Sequence, residues 1–427
     1  MLSLHIVEFS LVGEHSLELV DIIQLSRTSK ILWQVVRSLR EVHCTRAVND
    51  HSLNIILDFF PEIRLLSINS NRFDWSMVHK VFLHPQIMQL RLNSLCLLSS
   101  PSDDSTLRAG SYNADLKQSN LTDIRWSHIR GLEFHNCHST GEAIEYVIHN
   151  CRNISRLTFH GSIFVTNSNI EKMISKLEFL EILELTSLLG IQQVNLNLNL
   201  QRSLISLKIT KCSFLNNLYF DPEGSFQSLV SCDLSCTAVD SDCLDLVVSC
   251  SPLLRILIVQ ECSSIYGHIY FKSRSLTNIN LQHTCNMTEL DIDCPKLNHL
   301  EIHGCLNLSE LTLKSFALRQ LDLAMLTQLS RLVIECICIA DIEFSGCKKL
   351  KSAKVSARSP FSESFSRKYY RNEYLEESQL SSDSNFIHFG CCSLKQTNAS
   401  ESSDKNSLRE GHAKLRSSQL YRRSSSI

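Results

Sequence analysis

The sequence predicts an α/β protein of stacked coils, each contributing a short strand to a shared parallel sheet. Three observations predict it. A string L-x-x-L-x-L-x-x-C, with Ile, Val or Phe standing in for Leu, recurs at near-constant spacing. Between copies, several stretches carry the apolar periodicity of an amphipathic helix. Finally, only 12 Gly and 7 Pro occur in 427 residues, far below the usual shares of about 7% and 5%. Turns in such a chain must be built from other residue types, and Asn, Ser and Cys recur where the coils bend.

Residues 17–36, LELVDIIQLSRTSKILWQVV, read as two short amphipathic helical stretches ending near Trp33. The run Asp21-Ile22-Ile23, the pair Leu25-Ser26 and the late Lys30-x-x-Trp33 resemble the second half of an F-box. The resemblance implies a surface for a ligase adaptor protein, made by Leu19, Ile22, Ile23, Leu25 and Trp33. Residues 1–16 lack the Leu-Pro and acidic residue that usually open the first F-box helix. Two other readings of residues 1–36 therefore stand beside it. One is a cap over the open end of the stack, which every repeat array needs; the other is an F-box that this chain enters halfway.

The repeat runs over residues 37–355. Its first copies centre on Val42, Leu66 and Leu90. The next centre is Leu132, and the surplus between falls in 99–120, SSPSDDSTLRAGSYNADLKQSN, expected to be an exposed insertion. Stronger copies then centre on Leu132, Leu157, Leu183, Leu207, Cys232 and Leu257. In L-x-L both apolar side chains point the same way, because side chains alternate along a strand, and the residue between them faces out. One such strand cannot bury its apolar face alone, so coils must stack. Between strands, residues 140–151 place Ile144, Val147 and Ile148 on one helical face, and Val239, Cys243, Leu244, Val247 and Val248 repeat the arrangement.

The segment 236–262, together with Cys250-Ser-Pro-Leu253 and Cys294-Pro-Lys-Leu297, resembles the cysteine-containing leucine-rich repeat. The resemblance covers roughly residues 36–355 and implies a leucine-rich-repeat solenoid. After Leu257 the centres tighten to Ile279, Leu290, Leu300, Leu311, Leu321, Leu332, Ile342 and Ala353, in alternating steps of 11 and 10 residues. Ten residues are too few for strand, turn, helix and return. Two units make one coil of 21 residues with a strand on each side. Helices spaced ~8–10 Å apart opposite strands ~4.8 Å apart impose curvature. The expectation is a curved stretch of strand-helix coils that straightens after about residue 265. From residue 356 the repeat stops, and the last 72 residues hold 19 Ser, 11 basic and 8 acidic residues with few aliphatics. A disordered Ser-rich tail is expected there.

Several function classes are disfavoured by composition. Forty-two Lys+Arg against 44 Asp+Glu give a net charge of -2, which argues against a broadly basic nucleic-acid or membrane binder. No run of ~18 uncharged apolar residues suggests a membrane span. The opening MLSLHIVEFSLVGEH lacks a basic n-region and does not read as a secretory leader. Eighteen Cys are then expected to stay reduced in the cytoplasm or nucleus. They show no paired C-x-x-C spacing for zinc, and most fall just after a strand or on a buried helix face. There a thiol serves as a small apolar filler. No phosphate loop, zincin motif or nucleophile elbow occurs, so no catalytic residue, metal, cofactor or enzymatic activity is expected.

What remains is the outward row between paired leucines: Glu133, Thr158, Glu184, Lys208, Asp233, Ile258, Asn280, Glu301, Asp322 and Glu343. Its last members, with Asp341 beside them, make an acidic strip, read either as a solvated face or as a docking strip for a basic segment of a protein partner. F-box and cysteine-containing repeats together resemble the substrate-recognition subunits of SCF-type ubiquitin ligases. That resemblance implies two partners, the ligase adaptor and a protein substrate, with one copy of this chain per complex. The alternative is an interaction scaffold without a working F-box.

Overall fold

Among the described residues, copies of the L-x-L string form strands whose paired apolar side chains enter a common core. The computed structural model describes residues 34, 40–69, 75–94, 126–138, 141–161, 165–196, 202–220, 224–339, 341–343, 345–356, 375–377 and 386–391. All of them fall in one unit, Met1–Cys391. The F-box-like residues, the 99–120 insertion and most of the Ser-rich tail lie outside the described residues.

The principal sheet has eleven strands. They are β1 (Glu41–Ala47), β2 (Leu65–Asn69), β3 (Gln89–Asn93), β4 (Gly131–His135), β5 (Arg156–His160) and β6 (Ile182–Thr186), then β8 (Ser206–Thr210), β10 (Ser231–Asp233), β11 (Ile256–Ile258), β13 (Asn278–Asn280) and β15 (His299–Glu301). All pairings are parallel and in register on the repeat centres: Val42 faces Leu66, Leu66 faces Leu90, Leu90 faces Leu132, and Leu257 faces Ile279. Each interior Leu is enclosed, as Leu132, Leu157, Leu183 and Leu257 illustrate at 0% exposure. Burying one such side chain contributes about 1.5–3 kcal/mol.

The other side of each coil varies. Five helices occur there among the described residues: α1 (Asp50–Phe59), α2 (Trp75–Leu83), α3 (Gly141–Asn150), α4 (Asn167–Ile174) and α5 (Ser241–Cys250). Asn49, Thr166 and Asp240 cap α1, α4 and α5, each accepting a backbone N–H of the first turn. The expectation that helices persist to about residue 265 needs correction. The coils centred on Leu183 and Leu207 already carry strands opposite, β7 (Gln193–Leu196) and β9 (Asn217–Phe220), paired in parallel. The cause is local. Residues 193–200 read QVNLNLNL, an alternation of period two that no helical face can satisfy. Helix α5 then interrupts the strands once.

Beyond α5 both sides of every coil are strands. A seven-stranded sheet holds β12 (Gly267–Lys272), β14 (Met287–Asp293), β16 (Glu310–Ser315), β18 (Arg331–Cys336) and β20 (Ser352–Ser356), all parallel. The centres Leu290, Leu311, Leu332 and Ala353 fall in this sheet, while Ile279 and Leu300 fall in the principal one. Leu321 and Ile342 belong to a separate parallel pair, β17 (Gln320–Asp322) and β19 (Asp341–Glu343). The tail departs from expectation at two points. Its backbone forms β21 (Leu375–Glu377) and β22 (Phe386–Cys391), and β22 pairs antiparallel with β20. An outer strand otherwise presents unpaired N–H and C=O groups, which a returning segment satisfies.

The corners explain the shortage of glycine. Four residues after each centre of the principal sheet from Leu90 onward, and after the centres of β17 and β19, the backbone is left-handed, at Ser94, Asn136, Gly161, Ser187, Lys211, Cys236, Glu261, His283, Gly304, Met325 and Gly346. For a residue with a Cβ this costs roughly 1–2 kcal/mol. A hydrogen bond accompanies the turn: the N–H of Ser94 donates to His135 O at 2.8 Å, Lys211 to Ser235 O at 2.9 Å and His283 to His303 O at 2.9 Å. One position further on sits the cysteine of the string. Its thiol donates to the carbonyl of the second Leu one coil back, Cys262 to Leu234 O at 3.2 Å, Cys305 to Leu281 O and Cys347 to Leu323 O at 3.1 Å. Thr284 takes the same place and bonds Val259 O at 2.9 Å. The cysteines thus tie neighbouring coils as well as filling space.

Candidate functional site

Because side chains alternate, the residue between two core leucines faces away from the core, and so do its neighbours two positions along the chain. Register sets these residues side by side in one row: Arg91, Glu133, Thr158, Glu184, Lys208, Asp233, Ile258, Asn280 and Glu301. Asp322 and Glu343 face each other across β17 and β19, with Gln320 opposite Asp341.

The row is neutralised at its start. Arg91 Nε donates to Glu133 Oε2 at 2.5 Å, and His135 Nε2 lies 3.4 Å from the same oxygen. The hydrogen bond from His135 and the guanidinium of Arg91 hold the Glu133 carboxyl at about 2, against the opposing effect of burial. Rings of His135 and His160 stack beside it at 5.6 Å.

At its end the row is different. Strands β15 and β17 are adjacent without being hydrogen-bonded to each other. The corner ladder also lacks its rung there, since Gly304 N–H makes no bond to the next coil among the described residues. The seam opens a depression of about 290 Å3 lined by His299, Leu300, Glu301, Gln320, Leu321, Asp322, Asp341 and Glu343. Leu300 on its floor is 6% exposed, where Leu257 is 0%. All four predicted strip residues therefore come together. His299 and Gln320 join them unpredicted, although period two already set them on the same face as Glu301 and Asp322.

Each exposed carboxylate is held by one bond and keeps an oxygen to offer. Glu301 Oε2 accepts from Asn280 Nδ2 at 2.5 Å, Asp322 Oδ1 from the Ala324 N–H at 2.8 Å, and Glu343 Oε1 from the Ser345 N–H at 2.9 Å. Among the described residues no Lys, Arg or His makes a salt bridge to Glu301, Asp322 or Glu343. A guest bearing two or three spaced cations would meet an apolar floor ringed by carboxylates.

The thiols have a different chemistry. Burial pushes Cys305 up to about 12 and Cys347 up to about 11, so neither offers a thiolate at neutral pH. Among the described residues no three His, Cys, Asp or Glu side chains gather as a metal site would require. Nor is any described helix long and apolar enough to cross a membrane. Leu19, Ile22, Ile23, Leu25 and Trp33 lie outside the described residues, so the adaptor surface has no geometry here. No known protein family matches this chain, and no curated protein is recognisably similar to it.

Proposed function

We propose that the chain is a leucine-rich-repeat solenoid that binds proteins rather than catalysing a reaction, with the depression between β15 and β17 receiving a basic segment of a protein substrate. The carrying observation is the ring of Glu301, Asp322 and Glu343, which has no cationic partner among the described residues. Stacked carboxylates of one sign repel by about 1 kcal/mol or less per pair in water, and a cationic guest relieves that repulsion. In-register parallel coils support the solenoid reading. The resemblance of residues 17–36 to half an F-box supports its role as a substrate-recognition subunit of an SCF-type ligase, acting in the cytoplasm or nucleus.

Two measurements on the full chain test this. Titration with a fluorescent lysine-bearing peptide should give binding that weakens steeply with salt and is lost in Glu301→Lys/Asp322→Lys/Glu343→Lys. Unchanged affinity in that variant overturns the docking strip. Co-purification with the ligase adaptor should survive in that variant and fail in Ile22→Asp/Ile23→Asp. The missing Leu-Pro opening in residues 1–16 favours a second reading, an interaction scaffold without a working F-box. Peptide binding with no adaptor association in any variant decides for it.

A further inference from the structure

The outer surface around α5 carries a second concentration of exposed side chains, on the opposite side of the core from the acidic depression. Helix α5 packs between two strand groups. On one flank Cys243 lies against the backbone of Leu218 in β9, and on the other Ser241 Oγ donates to Tyr266 O at 3.3 Å just before β12. A helix with its side chains is about 10–12 Å across, so between two strands it forms a crest with a furrow on each side. Asp242, Asp245 and Leu246 lie on that crest, at spacings that share one helical face.

Exposed aromatic rings stand on both strand groups that flank α5. Tyr219 points out from β9 and is 48% exposed; Tyr266 and Tyr270 flank the other side at 69% and 47%; Leu246 between them is 49% exposed. Exposed tyrosines and a leucine on neighbouring elements differ from apolar side chains scattered singly, which need no explanation. Tyrosine in particular is enriched where proteins meet. Carboxylates are interleaved with the rings. Register places Asp291 of β14 directly beside Tyr270, and Glu289 beside His268. Asp291 Oδ2 lies 3.0 Å from His268 Nε2, and Asp245 is within electrostatic range of both Asp242 and His268.

An aromatic face next to a carboxylate is a receptor for a planar cation, since a guanidinium can stack on the ring while its N–H fork bonds the carboxylate. An ammonium can do the second but has no plane to stack. We propose that the surface formed by Tyr219, Leu246, Tyr266 and Tyr270 with Asp245 and Asp291 binds an arginine-bearing segment of a protein partner, independently of the acidic depression. Charge complementarity selects that occupant: on α5 and the outward rows of β12 and β14, Asp242, Asp245, Glu289, Asp291 and Asp293 outnumber Lys272 and His268.

The test uses the full chain carrying Glu301→Gln/Asp322→Asn/Glu343→Gln, so that the acidic depression no longer takes a cationic peptide, and three synthetic peptides that differ only in carrying three arginines, three lysines or three glutamines, followed by fluorescence anisotropy at physiological salt. The expected result is about tenfold tighter binding of the arginine peptide than of the lysine peptide. Tyr266→Ala/Tyr270→Ala removes that preference, and Asp245→Asn/Asp291→Asn weakens the arginine peptide about tenfold or more. Equal binding of the arginine and lysine peptides overturns the proposal. So does a preference that survives the tyrosine variant. If the tyrosine variant instead abolishes a dimer seen by sedimentation, the surface belongs to a second copy of this chain and the proposal also fails. All substituted tyrosines are about half exposed or more, and an unchanged melting temperature confirms that each variant is folded.

Discussion

The two ends of the outward row are built from the same string, yet one is internally satisfied and the other is not. At the first end Glu133 lies between Arg91 and His135 on strands that are hydrogen-bonded on both sides. At the last end Glu301, Asp322 and Glu343 line a seam whose strands are adjacent and unbonded. The difference shows that a repeat fixes the core and leaves the face free. The leucines set where each outward residue stands, and nothing in the fold decides its charge. The charge of the outward face is written one residue per coil.

The largest expected effect breaks the comparison at its floor. Leu132→Ala should cost about 2–5 kcal/mol, because its site is closed on every side and leaves a cavity. Leu321→Ala, bordering the open seam, should fall at the low end of that range, since water or neighbouring side chains can fill the space. Urea denaturation of both variants measures the pair, and equal costs would mean that the seam is closed in solution.

A second experiment sharpens the comparison at the corners. Gly304 has φ +77°, and a Cβ there would meet His283 Nδ1. Gly304→Ala should therefore cost about 1–3 kcal/mol. Adding His283→Ala should return the steric part and leave the backbone part, about 1 kcal/mol. Thermal melts of the single and double variants separate the two.

The paired end has its own signature in pH. Because the Glu133 carboxyl is held at about 2 in the folded chain, below its ordinary value near 4.3, its contribution is fully present above that ordinary value. The contribution fades as pH falls through the folded value. Glu133→Gln should cost about 1–2 kcal/mol at pH 7, and the gap from the parent chain should narrow between pH 4.5 and 2. Denaturation curves at a series of pH values check the sign.

The smallest effect belongs to the unpaired end. Neutralising Glu301, Asp322 and Glu343 to their amides should stabilise the chain by less than about 1 kcal/mol, and 1 M salt should erase the gain. A loss of stability instead would show that a cation from elsewhere in the chain already satisfies them.

Much of this was legible in the sequence, for a physical reason. A centre such as Leu257 or Leu311 must be apolar and must recur in register, so strand positions and pairings can be read directly. Helix α5 was readable because Cys243, Leu244, Val247 and Val248 share a face. The acidic strip could be read too, since alternation alone sends Glu301, Asp322, Asp341 and Glu343 outward. The seam between β15 and β17 could not, because hydrogen bonds between coils depend on atomic positions that no residue type announces. The left-handed corners were hidden in the same way: Lys211, Glu261 and Met325 share a conformation and nothing in chemistry. Strand β7 is written plainly in the alternation of 193–200, while β9 at Asn217–Phe220 carries no comparable run.

The seam has a mechanical consequence. Opposite it, β14, β16 and β18 are joined by an unbroken ladder of parallel bonds, while on the near side β15 and β17 share none. Two plates fastened along one edge only behave as a hinge. Parting the coils on either side of Gly304 would break no hydrogen bond between β15 and β17, whereas parting β16 from β18 would break a full parallel ladder. On its near side this joint is held by the packing of Leu300 and Leu321 in place of a ladder.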